Sequence, residues 1–118
     1  VVGYGPKEEV PNNEPTFKVV DEMPKFPGGQ EGLMRYLARN IKYPTMAQQN
    51  KEQGKVLVQI VIDKDGNVSN IKILKGASAW LDAEAIRVVR GMPKWEPGKQ
   101  NGQAVAVEYT FPITFRLQ

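Results

Sequence analysis

Lys55-Val-Leu-Val-Gln-Ile-Val-Ile-Asp-Lys-Asp-Gly-Asn-Val-Ser-Asn-Ile-Lys-Ile-Leu-Lys75 is two alternating runs folded about Asp65-Gly66. It reads as a β-hairpin. Asp-Gly suits a two-residue turn that needs positive φ, and the twist of such a turn matches that of the strands it joins. With Lys64 facing Asn67, Ile60 falls opposite Ile71 and Val58 opposite Ile73. Val56, Val58, Ile60, Ile62, Ile71 and Ile73 then share one apolar face, while Leu57, Gln59, Val61, Asn70 and Lys72 take the other. A sheet with one face this apolar requires a cover.

The cover is written on either side of the hairpin. Upstream, Pro24-Lys25-Phe26-Pro27-Gly28-Gly29 is a stiff turn, and Leu33, Tyr36, Leu37 and Ile41 follow at helical spacing. That spacing predicts a helix from about Gln30 to Lys42, ended by Tyr43-Pro44 because the residue before proline avoids the α region. A second, short helix over Thr45 to Gln53 leads through Gly54 into the hairpin. Downstream, Ser78 or Asp82 caps a third helix from about Leu81 to Gly91, with the stripe Leu81, Ala85, Val88, Val89 and Met92 turned inward. Arg87 and Arg90 near its end complement the helix dipole. Trp95, in a proline-framed loop, anchors that loop over the core.

The last segment, Ala104 to Leu117, alternates without a fault: Val105, Val107, Tyr109, Phe111, Ile113, Phe115 and Leu117 on one face. At about 3.3 Å per residue it outruns the hairpin strands, so part of it overhangs, and Pro112 is expected only on an edge or at a bulge. A right-handed crossover through the third helix returns it beside the first hairpin strand. The expectation is an α+β fold: a three-stranded antiparallel sheet ordered second, first, last, two or three helices on one face, and the last strand an open edge. Residues 1–16, rich in Pro, Asn and Glu, are expected to be a flexible linker before a domain spanning 17–118. Phe17 to Met23 alternates only weakly.

Composition narrows the function. In 118 residues there is no cysteine and no histidine, which removes thiolate metal sites, the commonest general base and the commonest metal ligand. Asp63, Asp65 and Asn67 lack the offsets of a calcium loop and read as turn chemistry. Gly28-Gly29 lacks the strand and Lys-Ser/Thr pair of a phosphate loop. Ser69 and Ser78 have no base, and Asp82 and Glu84 are two apart on a helix. The expectation is a non-enzyme without cofactor or metal. The net charge is +3, and because the first sixteen residues are acidic the remainder is more basic still. The basic residues are dispersed, without a Lys/Arg run, so a solvated surface is favoured over a nucleic-acid interface, which would bind with steep salt dependence. No apolar run reaches the length of a membrane span, and a chain beginning at Val1 without Met reads as a fragment of a longer protein. The remaining feature is the edge, which invites another strand, either a partner's or a second copy's.

At this point a resemblance enters. Tyr43-Pro44, the short helix ending at Gly54, the Lys55 to Asp63 strand with Asp65-Gly66, Leu81-Asp82, Trp95-Glu96-Pro97-Gly98-Lys99 and the alternating last strand, in this order and spacing, resemble the periplasmic C-terminal domain of TonB. Phe26-Pro27-Gly28-Gly29 resembles the variety common in Bacteroidetes. The resemblance implies a TonB/TolA C-terminal-like fold and an energy transducer anchored in the inner membrane by a segment absent from this chain. Its proton-driven motor proteins would act through that segment, and outer-membrane transporters would donate their TonB-box peptide to the last strand. Carried over by position, the peptide lies along Val105, Ala106, Val107, Glu108, Tyr109 and Thr110, with Asn40, Ile41, Lys42 and Tyr43 contacting it. Asn40 matches the polar contact residue, whereas Ile41-Lys42 departs from the usual Pro-Gln. Val1-Val2-Gly3-Tyr4-Gly5 resembles a segment near the N-termini of transporters, and is expected to compete for the same edge. Two alternatives stay open: the same domain on a membrane-bound sensor peptidase, and an edge-strand homodimerisation module.

Overall fold

In the computed structural model, which describes residues 15–117, the chain runs β1 (Thr16–Phe17), α1 (Gly29–Asn40), α2 (Thr45–Gln49), β2 (Gly54–Ile62), β3 (Val68–Lys75), α3 (Ala79–Arg90), β4 (Gly98–Gln100) and β5 (Gln103–Phe115). β2 is central. It pairs antiparallel with β3 on one side and with β5 on the other, giving the order β1-β5-β2-β3. The expected arrangement of hairpin and last strand is therefore present. Two short strands add to it: β1 runs parallel to β5, and β4 pairs antiparallel with its start. The Val1 to Gly5 expectation lies outside the described residues. No helix among those residues is long and apolar enough to cross a membrane.

The β2–β3 connection differs from the expected two-residue turn. The Asp63 carbonyl accepts from the Gly66 N–H at 2.9 Å, and Asp63 donates to the Asn67 carbonyl at 3.0 Å, so Lys64, Asp65 and Gly66 form a three-residue loop. The Asp63 carboxylate explains the choice: its Oδ1 accepts the N–H groups of Asp65 and Asn67, both at 2.9 Å, and this local bonding stabilises the longer turn. Gly66 sits at φ 90°, and a Cβ there would lie 2.1 Å from the Trp95 carbonyl oxygen. Asn70, at φ 48°, forms a bulge that takes up the extra residue. Beyond it Val58 lies opposite Ile73 as expected, whereas Ile60 has no single partner. A second shift follows at Leu57/Val58. The two-residue turn is instead Asn101-Gly102, both at positive φ, between Gln100 and Gln103.

The helices cover the expected face. Leu33 and Leu37 of α1 and Leu81, Ala85, Val88 and Val89 of α3 pack with Val56, Val58, Ile60, Ile62, Phe111, Ile113 and Phe115. On the opposite face Val61 and Ala106 are nevertheless buried. Ser78 caps α3 by accepting the Leu81 N–H, and Asp82 accepts the Ala77 N–H just before the helix. Trp95 is 3 % exposed, edge-on to Phe26 and Tyr109, which fixes the loop between α3 and β4 to the core.

Candidate functional site

β2 and β5 pair without a break from Gly54/Phe115 to Ile62/Val107. Pro112 lies opposite Leu57 and has no N–H to give. In an unbroken antiparallel ladder that pair must be a non-hydrogen-bonded one. The alternation then fixes the rest. Val107, Tyr109, Phe111 and Ile113 exchange backbone bonds with β2, and Glu108, Thr110, Pro112 and Thr114 turn theirs to the outer edge. Pro112 is tolerated in a strand flanked on one side because its missing donor faces away from β2.

That outer edge is not wholly open, as the sequence led us to expect. Thr16 and Phe17 of β1 pair with Ala106 and Val107 on it, whereas Gly98 of β4 pairs with Val105 on the other side of β5, past the end of β2. Beyond β1 the strap of residues 18–25 is tied down. The backbones of Glu22 and Lys99 exchange bonds of 3.0 and 2.8 Å, and Asp21 accepts the Asn101 N–H. Beyond Glu108 no described strand lies on the edge. Here α1 forms a wall, leaving a groove of about 420 Å³ lined by Gln30, Leu33, Met34, Leu37, Ala38 and Ile41 on one side and by Phe111 to Thr114 on the other.

The end of α1 is held from behind. The Glu84 carboxylate, only 9 % exposed, accepts the Lys42 N–H at 2.7 Å and two bonds from the Arg87 guanidinium at 2.8 and 2.7 Å. Arg87 also donates to the Asn40 carbonyl at 2.9 Å. The guanidinium's hydrogen bonds hold the Glu84 pKa below its ordinary value; burial opposes this, and the Lys42 N–H reinforces it. The same pair raises Arg87. Higher up, the Tyr36 hydroxyl donates to the Val88 carbonyl at 2.8 Å, and burial raises its pKa. α3 thus fixes the position of α1 beside β5.

The residues expected to contact a partner divide into two groups. Asn40 ends α1 and is exposed, its side chain bonded to the Tyr36 carbonyl. Ile41 closes the helix by donating to the Leu37 carbonyl and lines the groove. Lys42 is fixed through its N–H, and Tyr43 packs edge-on to Phe115 while its hydroxyl donates to the Glu52 carbonyl. Val105, Ala106 and Val107 are engaged by the chain's own strands. Glu108 and Thr110 turn backbone groups outward, and the Tyr109 ring points inward against Trp95. The sequence reading missed Met34, Ala38 and Phe111 to Thr114. A usable signal was present: Gln30, Met34, Ala38 and Ile41 form a second, largely apolar stripe beside the core stripe of α1, wider than the core requires.

No group of three or more acidic, His or Cys residues fit to hold a metal occurs among the described residues. Comparison with known proteins places these features in a family. The model of the C-terminal region of the Gram-negative bacterial TonB protein matches residues 39–117. Two solution structures of the Helicobacter pylori TonB C-terminal domain are similar. A longer fragment has 27% identity over 73% of this chain and 78% of that one with TM-score 0.56, and a shorter one 26% over 75% and 92% with TM-score 0.57. The Pseudomonas aeruginosa TonB C-terminal domain is 29% identical over 65% of this chain and 78% of that one, with TM-score 0.53. No curated protein matches.

Proposed function

The chain belongs to the TonB C-terminal domain family, and from that premise we propose that it is the transporter-binding domain of a periplasmic energy transducer. Its partner is the TonB-box peptide of an outer-membrane transporter, which adds as a strand to the outer edge of β5. The segment before the domain reaches an inner-membrane anchor and a proton-driven motor.

One observation carries the reading. The backbone groups of Thr110 and Thr114 face an edge with no strand on it among the described residues, beside a preformed groove. Backbone pairing supplies affinity to an extended peptide whatever its side chains, and the groove supplies selection. Strand addition also sets several hydrogen bonds along one line. A pull that loads them together is resisted better than one that peels them singly, which suits a domain that transmits force. β1 moves the expected footprint: the peptide lies from Glu108 towards Thr114, rather than from Val105 to Thr110.

The test is an amide-NMR titration with TonB-box peptides of candidate transporters at low and moderate salt. Shifts concentrated on Glu108 to Thr114 and on Asn40 to Tyr43, little changed by salt, are expected. Silence from every peptide, with the Thr110 and Thr114 amides already protected from exchange, would instead indicate a second copy on this edge.

A further inference from the structure

The three long strands of the sheet are nearly free of carboxylates. β2 and β3 hold none, and β5 holds Glu108 alone. The helices cover one face of the sheet, and the register fixes what stands on the other. Residues directly opposite each other share a face, so Leu57 joins Lys75 and Pro112, Gln59 joins Lys72 and Thr110, and Lys55 joins Thr114. Arg116 continues the exposed alternation of Pro112 and Thr114. Lys55, Lys72, Lys75 and Arg116, scattered in the sequence, are thereby gathered on one half of the uncovered face, and all four are exposed. Lys55 is diagonal to Lys75 across the ladder, a backbone spacing of about 7–8 Å. With Thr114 and Arg116 it also lines a shallow depression of about 440 Å³.

None of the four cations has an ion pair among the described residues. Glu108 stands level with Val61, away from Lys55 and Arg116, and its carboxylate accepts from the Gln59 amide at 3.4 Å. Glu52, just before β2, accepts from the Ser78 hydroxyl, and Asp82, in the first turn of α3, accepts the Ala77 N–H. Like charges held this close repel one another, and an anionic partner replaces that repulsion by attraction. Apolar groups lie between the cations: Leu57, Pro112 and, in the bulge beside Lys75, Leu74, which is 46 % exposed. This mixture matches a lipid surface, where long basic side chains reach the phosphates while their stems and the aliphatic groups lie against the acyl boundary. A nucleic acid is served by aromatic platforms or by an element shaped for a groove, and the aromatic residues of β5 all point to the helix face. The shape agrees with a planar partner. The molecule measures 20 Å along its shortest axis against 48 and 39 Å along the others, so the uncovered sheet is one of its two broad sides.

We propose that the uncovered face of the sheet, around Lys55, Lys72, Lys75 and Arg116, docks on an anionic phospholipid leaflet. This goes beyond strand addition at β5 and does not depend on it, and docking in this way leaves the helix face and its groove free. The test is cosedimentation of the 118-residue chain with vesicles of equal parts phosphatidylglycerol and phosphatidylcholine, and with vesicles of phosphatidylcholine alone. Binding is expected to the mixed vesicles only, and it should weaken steeply as salt is raised. Each charge removed from the face is expected to weaken it about fivefold, so Lys55→Gln with Lys75→Gln should lose about twentyfold or more. Arg35→Gln with Arg39→Gln removes the same charge from exposed positions on α1 and should change binding little. Absence of binding to the mixed vesicles at low salt, equal binding to both kinds of vesicle, or equal losses in the two double variants overturns the proposal. Amide NMR adds a second reading, with shifts expected at Lys55, Lys75, Thr114 and Arg116 from a short-chain phosphatidylglycerol. The same shifts produced as fully by inorganic phosphate would assign the site to a free anion, and tighter binding to a short DNA duplex than to the mixed vesicles would assign it to nucleic acid; either result overturns the leaflet.

Discussion

The sheet has two edges built in opposite ways. β3 forms one of them, interrupted by two register shifts, with Asn70 in the left-handed region and Lys72 and Lys75 exposed along it. Each is a device by which natural sheets discourage a further strand: bulges twist the ladder, and lysines at the edge repel and hydrate. β5 forms the other edge, with an unbroken register over nine pairs to β2 and no charged side chain from Tyr109 to Phe115. One edge of a single sheet is guarded and the other is kept flat beside a groove. The difference teaches that the open edge is not a residue of small size or poor design, because the same chain shows how it closes an edge when closure is wanted.

The strongest way to break the contrast is to close β5. Thr110→Pro removes an outward N–H, and by the alternation set by Pro112 it removes no bond to β2. Peptide binding is expected to fall by about tenfold, as the hydrogen bond donated at Thr110 is lost and the proline ring crowds the added strand, with thermal unfolding changed by less than about 1 kcal/mol. A variant that binds as well as the parent would place the partner elsewhere.

The wall of the groove comes next. Glu84→Ala leaves the Lys42 N–H and the Arg87 guanidinium without their acceptor, and a loss of about 1–3 kcal/mol in unfolding free energy is expected. The folded pKa of Glu84 lies below its unfolded value. Its contribution is therefore present at neutral pH and is lost as pH falls through the folded value. Glu84→Gln should differ from the parent in melting temperature at about pH 7, and the difference should shrink as pH falls through the folded value of Glu84. A constant difference across that range would show that shape, not charge, holds α1 in place.

Much of this contrast was legible beforehand, and the parts that were not share a cause. The helix stripes and the alternating strands follow from periodicity, which reports burial directly, the strand order from the handedness of the crossover, and the anchoring of Trp95 from its proline-framed loop. β1 and β4 carry no such signal: Thr16–Phe17 and Gly98–Gln100 are too short to alternate, and β4 occupies the part of β5 that β2 does not reach while β1 lies on its outer edge. Asn101-Gly102 is a strong hairpin dipeptide, but without apolar runs beside it on the β4 side it read as loop. The turn at Asp65-Gly66 was placed one residue off because the Asp63 carboxylate, not the dipeptide, decides the loop length. The spacing of Glu84 from Asp82 gives no hint of its partner, which is Arg87, three residues on. The register to β2 and the outward alternation needed the structure, and with them the shift of the candidate site from Val105–Thr110 towards Thr114.

β1 allows the open edge to be lengthened. Deleting residues 1–17 exposes the outward groups at Ala106 and is expected to strengthen peptide binding a few-fold, at about 0.5–1.5 kcal/mol for each bond gained, with new shifts at Ala106 and Val107. β1 covers β5 only at Ala106 and Val107, at the end of the edge away from Thr114. Its removal should therefore extend the footprint at one end only. A uniform gain along the whole edge would mean that residues 1–14 compete for all of it.

The smallest effect is expected at the guarded edge. Lys72→Val with Lys75→Thr strips β3 of its charges and leaves the bulges at Asn70 and Leu57/Val58 in place. If twisting by the bulges is the main protection, sedimentation at high protein concentration should show only a slight increase in self-association, and the peptide should still shift β5 alone. If charge is the main protection, the double variant should dimerise through β3, with slowed exchange along Val68 to Lys75, and the sheet would then present two usable edges. The first outcome is favoured by geometry, since a strand docking on β3 meets a change of register within a few residues on either side of Ile73 and cannot keep its hydrogen bonds in line.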